Sequence, residues 1–230
     1  MQSPPTEVTF AHVQERIASR ALQMGKHPFL RRLEDEKAAV HVRSIAEGIG
    51  FFVLGFQDII RHVALSIRTP ELAEFARQNE ADDQGHDQWF LQDMKQLGAR
   101  CDIDWVFSKE HQVTRDVTYS RIADATGAEH DASRFALALA LEAAAAEFFG
   151  RMVRLLEPSG HADSLKYFGR HHQMVEQNHD MFEHDSQARL NRIVVPEGAV
   201  TEVWRMIERT FAGVEAMASD INAALDRKAR

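Results

Sequence analysis

Cysteine occurs once in the 230 residues, as Cys101. A lone thiol excludes an internal disulfide framework and any cysteine-rich zinc site, and it is consistent with a reducing compartment, so a cytoplasmic location is expected. Basic charge is also short, with 27 Lys and Arg against 35 Asp and Glu and a net charge of −8. Nucleic-acid binders need clustered cations to displace counterions, so no nucleic-acid partner is expected. Long apolar runs are missing too. The longest, residues 49–56, is interrupted by glycine and falls far short of the ~20 residues of a membrane span, so no membrane partner is expected. The first residues, Met1-Gln-Ser-Pro-Pro, carry neither a basic start nor an apolar segment, and no secretory signal is read from them. Strand-type alternation, internal repeats and low-complexity segments are absent as well.

What remains is a composition ordinary for a soluble chain, 44% hydrophobic and 27% charged. The length suits one core, so a single domain over 7–230 is expected after a disordered stretch at 1–6. Helical periodicity runs through all of it. Residues 7–24 read as a first helix, Gly25 and Pro28 punctuate a loop, and a long run follows over about 33–67. Glycines 48, 50 and 55 fall inside that run. Glycine costs ~1 kcal/mol against alanine in a helix, so a bend or close packing is expected there. Thr69-Pro70 restarts the chain as N-cap and first helical residue, and the third helix is expected to continue unbroken to Leu97 and stop at Gly98. Residues 99–115 lack a clean period, and a short helix leads from there toward Ala125 and Gly127. Helices are then expected over 132–158, over 161–192, and over 200–225, the last with Val203, Met206, Ile207, Phe211, Val214, Met217 and Ile221 at helical spacing. The fold class expected is all-α, a single-domain bundle of about seven helices.

The densest chemical signal is residues 171–185, His-His-Gln-Met-Val-Glu-Gln-Asn-His-Asp-Met-Phe-Glu-His-Asp. On a helix His172, Glu176 and His179 project from one side, while His171 and His184 face elsewhere, into solvent. The Glu-x-x-His part is the unit with which di-iron bundles hold an ion between facing helices. Asp83 and His86 repeat that unit on a stripe with Leu72, Ala76, Phe90 and Leu97. Asp82 is a reserve candidate, as is Glu80, which lies about 120° round the helix from His86. Glu142 sits among Phe135, Ala138, Ala145 and Phe149. Burying that carboxylate without a partner would cost several kcal/mol, so a cation or metal is its natural partner. Glu147, by contrast, has Arg151 at i+4 for an ordinary ion pair. On the second helix Glu47 and Asp58 share a line with Leu54, Arg43 and His62, and either could reach a metal. Glu47 fits the pattern better, lying 36 residues before Asp83 as Glu142 lies 34 before Glu176, and a salt bridge to Arg43 is its competing reading. The plain alternative for each cluster is a solvated polar helix face.

Together these residues resemble the heme-oxygenase-like di-iron oxidases and oxygenases, a helical family related in fold to thiaminase-II-type and pyrroloquinoline-quinone-synthesis proteins. The resemblance rests on Asp82-Asp83-Gln84-Gly85-His86-Asp87-Gln88-Trp89 followed by Asp93 and Leu97-Gly98, on Glu142, and on the His172/Glu176/His179 triplet. It covers most of the chain from His27-Pro28-Phe29 through the 170s. Asp83 stands where Glu is more usual, and neither Glu47 nor Asp58 aligns cleanly. The resemblance implies a heme-oxygenase-like fold, a homodimer, and two Fe(II) ions held by Glu47 or Asp58, Asp83, His86, Glu142, His172, Glu176 and His179. It further implies O2 as co-substrate and oxidation of a small organic substrate by C–H cleavage, desaturation or N-oxygenation. A ferritin-like four-helix bundle, as in arylamine N-oxygenases, would use nearly the same ligands.

Imidazole and carboxylate donors without thiolate suit iron or manganese, with zinc as a further option. Two other readings compete. A metal-free thiaminase-like hydrolase, suggested by Phe56-Gln57-Asp58, needs a cysteine nucleophile, and Cys101 falls in an irregular segment without an evident base. A heme- or cofactor-binding helical protein would have to seat an apolar ring among carboxylates. Arg43, Arg61 and Arg170 are candidates for holding a substrate carboxylate, against the plainer reading of each as a surface cation.

Overall fold

The 3.6-residue periodicity is realised as helices in the computed structural model, which describes residues 7–177 and 184–228. In chain order the helices are α1 (Phe10–Met24), α2 (Pro28–Arg32), α3 (Val42–Ser66), α4 (Pro70–Asp82), α5 (His86–Gln96), α6 (Ile103–Val106), α7 (Gln112–Gly127), α8 (Asp131–Leu156), α9 (His161–Ser164), α10 (Arg170–Gln177), α11 (His184–Asn191) and α12 (Val200–Lys228). Among the described residues there is no strand, only an isolated bridge between Thr9 and Val194. The all-α expectation holds. The expected disorder at 1–6 lies outside the described residues.

The bundle is assembled around α8, whose consecutive residues Phe135 to Leu141 are all buried. A helix apolar on every side has to be wrapped by others, and α1, α3, α4, α7, α10 and α12 pack against it. Beside it α3 lies along α7. Gly48 and Gly55 of α3 serve close approach. A Cβ at Gly55 would come within 2.5 Å of Thr118 Cγ2 on α7, and one at Gly48 within 2.9 Å of Ile221 Cγ1 on α12.

Two runs read as single helices are broken, and the short helices α2 and α6 form in stretches read as loop or irregular, so the described residues hold more helices than about seven. Gly85 takes φ +92°, so α4 ends at Asp82 and α5 begins at His86. A third helix running to Leu97 would pass through this glycine, whose left-handed φ instead turns the chain. The second break lies between α9 and α10. Asp93 of α5, 1% exposed, accepts from the backbone N–H groups of Lys166 at 2.7 Å, Tyr167 at 2.8 Å and Phe168 at 3.0 Å, fixing 165–169 as a turn. At Gly169 a Cβ would stand 2.2 Å from the carbonyl oxygens of Ala162 and Leu165, so the turn closes only around glycine.

The stretch Glu36–Ser66 contains a window of mean hydropathy 1.3 and is long and apolar enough by length and composition to cross a membrane. Glycines 48, 50 and 55 and the charges of Arg43, Glu47, Asp58 and Arg61 keep it from being an unbroken apolar run. In the fold its α-helical part, α3, packs against α4, α5, α7, α8 and α12.

Candidate active site

Four helices bring short acidic and imidazole side chains to one wall of a cavity of about 100 Å3. Asp83 closes α4, His86 opens α5, Glu142 lies midway along α8 and His172 on the first turn of α10, and all four line that cavity. Each is buried, at 5%, 5%, 6% and 2% exposure respectively. The rest of the wall is mostly apolar, from Ile49, Phe52, Val53 and Phe56 on α3 to Ala144, Ala145, Phe148 and Phe149 on α8. Among the described residues no Lys or Arg lines it.

The polar wall has a definite hydrogen-bond order. His172 Nδ1 lies 2.9 Å from the Tyr167 carbonyl oxygen, so Nδ1 carries the proton and Nε2 presents a lone pair. That lone pair faces His86 Nδ1 at 3.2 Å, and Asp83 Oδ1 faces the same nitrogen at 3.0 Å. Two acceptors therefore share one hydrogen. The second oxygen, Asp83 Oδ2, is buried with no hydrogen-bond partner among the described residues. Glu142 Oε1 accepts from Asn79 Nδ2 at 3.1 Å, and Asn79 is itself 2% exposed. Aromatic rings fix the imidazoles: Tyr167 stacks on His172 at 4.6 Å, Phe149 meets its edge at 4.2 Å, and Trp89 lies 4.5 Å from His86.

The Asp83-x-x-His86 unit thus exists as expected, but across a helix break. Its closeness comes from the Gly85 turn, not from i,i+3 stacking on one helix. Glu142 is buried on the expected face, and Glu147 is paired with Arg151 at 2.5 Å. Of the triplet, His172 is placed at the site; Glu176 belongs to α10 but its side chain lies outside the description, and His179 lies outside the described residues. The helix expected to run unbroken over 161–192 starts only at Arg170 in this region, so Leu165 and Phe168 are buried in the preceding turn. His171 is exposed as expected, and the side chain of His184 is outside the description.

Glu47 is not brought to this group. Its Oε1 accepts from Arg43 Nε and from the backbone N–H of Arg100, each at 3.0 Å, and Lys228 Nζ lies 3.8 Å from Oε2. Asp58 is exposed and pairs with Arg61 at 2.7 Å. Asp82 accepts from Gln78, and neither Asp82 nor Glu80 lines the cavity. The three candidate arginines are engaged at the surface: Arg43 with Glu47, Arg61 with Asp58, and Arg170 with Asp163 and Glu157.

Sequence reasoning gave no role in the metal site to several residues that shape the wall. Asn79 lies on the stripe of Leu72, Ala76 and Asp83, a signal that was available. Gln57 donates to the Asp83 carbonyl at 2.6 Å, and Asp87 adds a half-buried carboxylate to the wall. Asp93 positions the backbone that presents His172. Burial pushes its carboxyl above the ordinary range, against the pull of the three backbone donors.

Among the described residues no group of three or more His, Cys, Asp or Glu converges as it stands on a metal ion. The donor chemistry nevertheless suits a cation: a lone pair on His172, an orphaned oxygen on Asp83, and imidazole and carboxylate donors without thiolate. The fixing of His172 Nδ1 on a carbonyl is the outer-sphere arrangement that orients histidine ligands. No protein-family model and no curated protein matches the chain.

Proposed function

We propose that the protein is a metal-dependent, O2-using oxidase or oxygenase of a small apolar substrate, with the metal held at the Asp83/His86/Glu142/His172 wall. The observation that carries this reading is the sharing of one hydrogen by Asp83 Oδ1 and His172 Nε2 at His86, beside the orphaned Asp83 Oδ2. A cation in that place would give the buried Asp83 Oδ2 the partner it lacks among the described residues. Iron is the metal that fits both the donors and redox chemistry, with manganese as the alternative, and it would supply the reduction of O2.

The chain's own residues do the rest. Tyr167 holds the His172 tautomer, Asn79 holds one Glu142 oxygen, and Asp83 is placed by the Gly85 turn with Gln57 on its carbonyl. The apolar wall of α3 and α8 excludes water and binds the substrate by burial. One water needs ~10–15 Å3 of such space, so 100 Å3 corresponds to a molecule of roughly seven to ten non-hydrogen atoms. With no Lys or Arg on the wall among the described residues, the cavity favours an uncharged substrate over a carboxylate.

The helical bundle is compatible with either the heme-oxygenase-like or the ferritin-like arrangement, and we favour the first on the compact Gly-His-Asp-x-Trp segment ending at Leu97-Gly98. The hydrolase alternative lacks support, because among the described residues no Ser, Thr or Cys lines the cavity and burial pushes the Cys101 thiol up, away from the reactive thiolate. Nor does a cavity of this volume suit a heme.

Anaerobic Fe(II) loading, removal of free iron and exposure to O2, followed by visible absorption, tests the reading. A transient visible band and O2 uptake above that of free iron are expected, and both should vanish in His172→Ala. A Soret band, or failure of the wild type to retain iron, would overturn it.

A further inference from the structure

Resting on the small-substrate reading above, we propose that the cavity takes an unbranched aliphatic chain with an uncharged polar head, and that Ile221, seated in a notch at Gly48, sets the chain's length. Measured along α3, the cavity has two ends. At one end Gln57 donates to the Asp83 carbonyl, and Asn79, one turn before Asp83 on α4, holds Glu142, so the polar wall gathers there. At the other end α3 turns Ile49 to the cavity, and beside it Gly48 receives Ile221 of α12. A Cβ at Gly48 would stand 2.9 Å from Ile221 Cγ1, so a glycine is what lets Ile221 lie this close to α3. From that notch Ile221, 4% exposed, lines the cavity. The floor around it is apolar: Met217 and Ala218 share its stripe of α12, and Met24, Phe29 and Leu30 come from α1 and α2.

Length and volume together select the shape of the occupant. Gln57 follows Gly48 by nine residues of continuous helix, about 13 Å at a rise of roughly 1.5 Å per residue. Ile49, Phe52, Val53 and Phe56 form an apolar stripe along that length. Carbon–carbon bonds of about 1.5 Å at angles near 111° advance an extended chain by roughly 1.25 Å per atom. The roughly seven to ten atoms that suit the volume therefore span about 8–11 Å, and the van der Waals radii of the end atoms take up the rest. A compact or branched molecule of the same atom count is shorter and leaves one end of the stripe uncovered.

The test is a chain-length series. Straight alcohols from n-butanol to n-undecanol are titrated calorimetrically into the full chain, as purified and after anaerobic Fe(II) loading. Each methylene that finds room should tighten binding about fourfold, and the rise should stop near n-nonanol. The branched isomer 2-ethylhexanol should bind roughly tenfold more weakly than n-octanol. Ile221→Ala should carry the rise on by about two carbons and Ile221→Val by about one, the reach removed from the side chain. Gly48→Ala, which displaces Ile221 from its notch, should end the rise earlier. A rise that continues to n-undecanol in the wild type, or 2-ethylhexanol bound as tightly as n-octanol, would overturn the straight-chain inference. A stop that stays in place in Ile221→Val, the mildest of the variants, would overturn its assignment to Ile221. Iron retention is measured on the same samples. A stop near n-nonanol in protein that keeps no iron upholds the chain-length inference and removes the metal reading; retained iron without a stop does the reverse.

Discussion

Replacing Asp93 by alanine tests how the site is positioned. The carboxylate accepts three backbone N–H groups at 2.7–3.0 Å while 1% exposed, and the turn it clamps carries Tyr167, whose carbonyl orients His172. Hydrogen bonds to a charged group contribute roughly 1.5–3 kcal/mol each, and buried donors left unpaired cost about 1–3 kcal/mol each. The three act on one short segment and are not additive, and burial of the charge offsets part of the gain. A net loss of about 3–5 kcal/mol follows. At ~2–4 °C per kcal/mol for a chain of this size, the melting temperature should fall by roughly 6–20 °C. Thermal unfolding by circular dichroism, with Trp89 fluorescence as a local report, measures it. Asp93→Asn, which keeps an acceptor without the charge, should fall between. A pH series adds a sign. The folded carboxyl titrates above its unfolded value, so its stabilising contribution is present at low pH and lost as pH rises through the folded pKa. The wild type should therefore gain on Asp93→Asn as pH falls from neutral into the carboxylate range. An Asp93→Ala melt within about 2 °C of wild type would refute the clamp.

Three further outcomes are expected. Glu142→Ala should abolish metal loading while leaving helical content largely intact by circular dichroism; a variant that binds metal like the wild type would remove Glu142 from the ligand set. Ala144→Leu should fill the apolar cavity and weaken binding of small apolar ligands to the metal-free protein by at least tenfold in calorimetry, with the polar wall untouched. His111, buried with Trp105 at 4.7 Å, has its pKa pushed below 6.5 chiefly by desolvation. Its contribution is present above the unfolded pKa and lost as pH falls through the folded one, so His111→Phe should flatten the loss of stability as pH falls below 6.5, read by urea unfolding at each pH.

Glu142 shows what a sequence can carry: an acidic residue among alanines and phenylalanines of an unbroken 3.6-residue stripe has its burial written locally, and the structure buries it at 6%. Asp83 and His86 were legible as a pair but not in their geometry, because one left-handed glycine decides between a helix interior and a helix junction, and periodicity is blind to φ. The 165–169 turn was not legible at all, since it is fixed by Asp93, more than seventy residues earlier in the chain. Glu47 had the right spacing and the wrong surroundings: Arg100 and Lys228 reach it only in the folded bundle. Spacing within a helix is local, whereas the company a side chain keeps is tertiary.

Crystals of iron-loaded protein, measured at the iron absorption edge, test the central claim most directly. The account expects an anomalous peak at the cavity wall within about 2.0–2.3 Å of ligand atoms on His86 and His172, with Asp83 turned toward it. An iron-loaded crystal whose anomalous density lies elsewhere, leaving the two imidazoles bonded to each other, would contradict it.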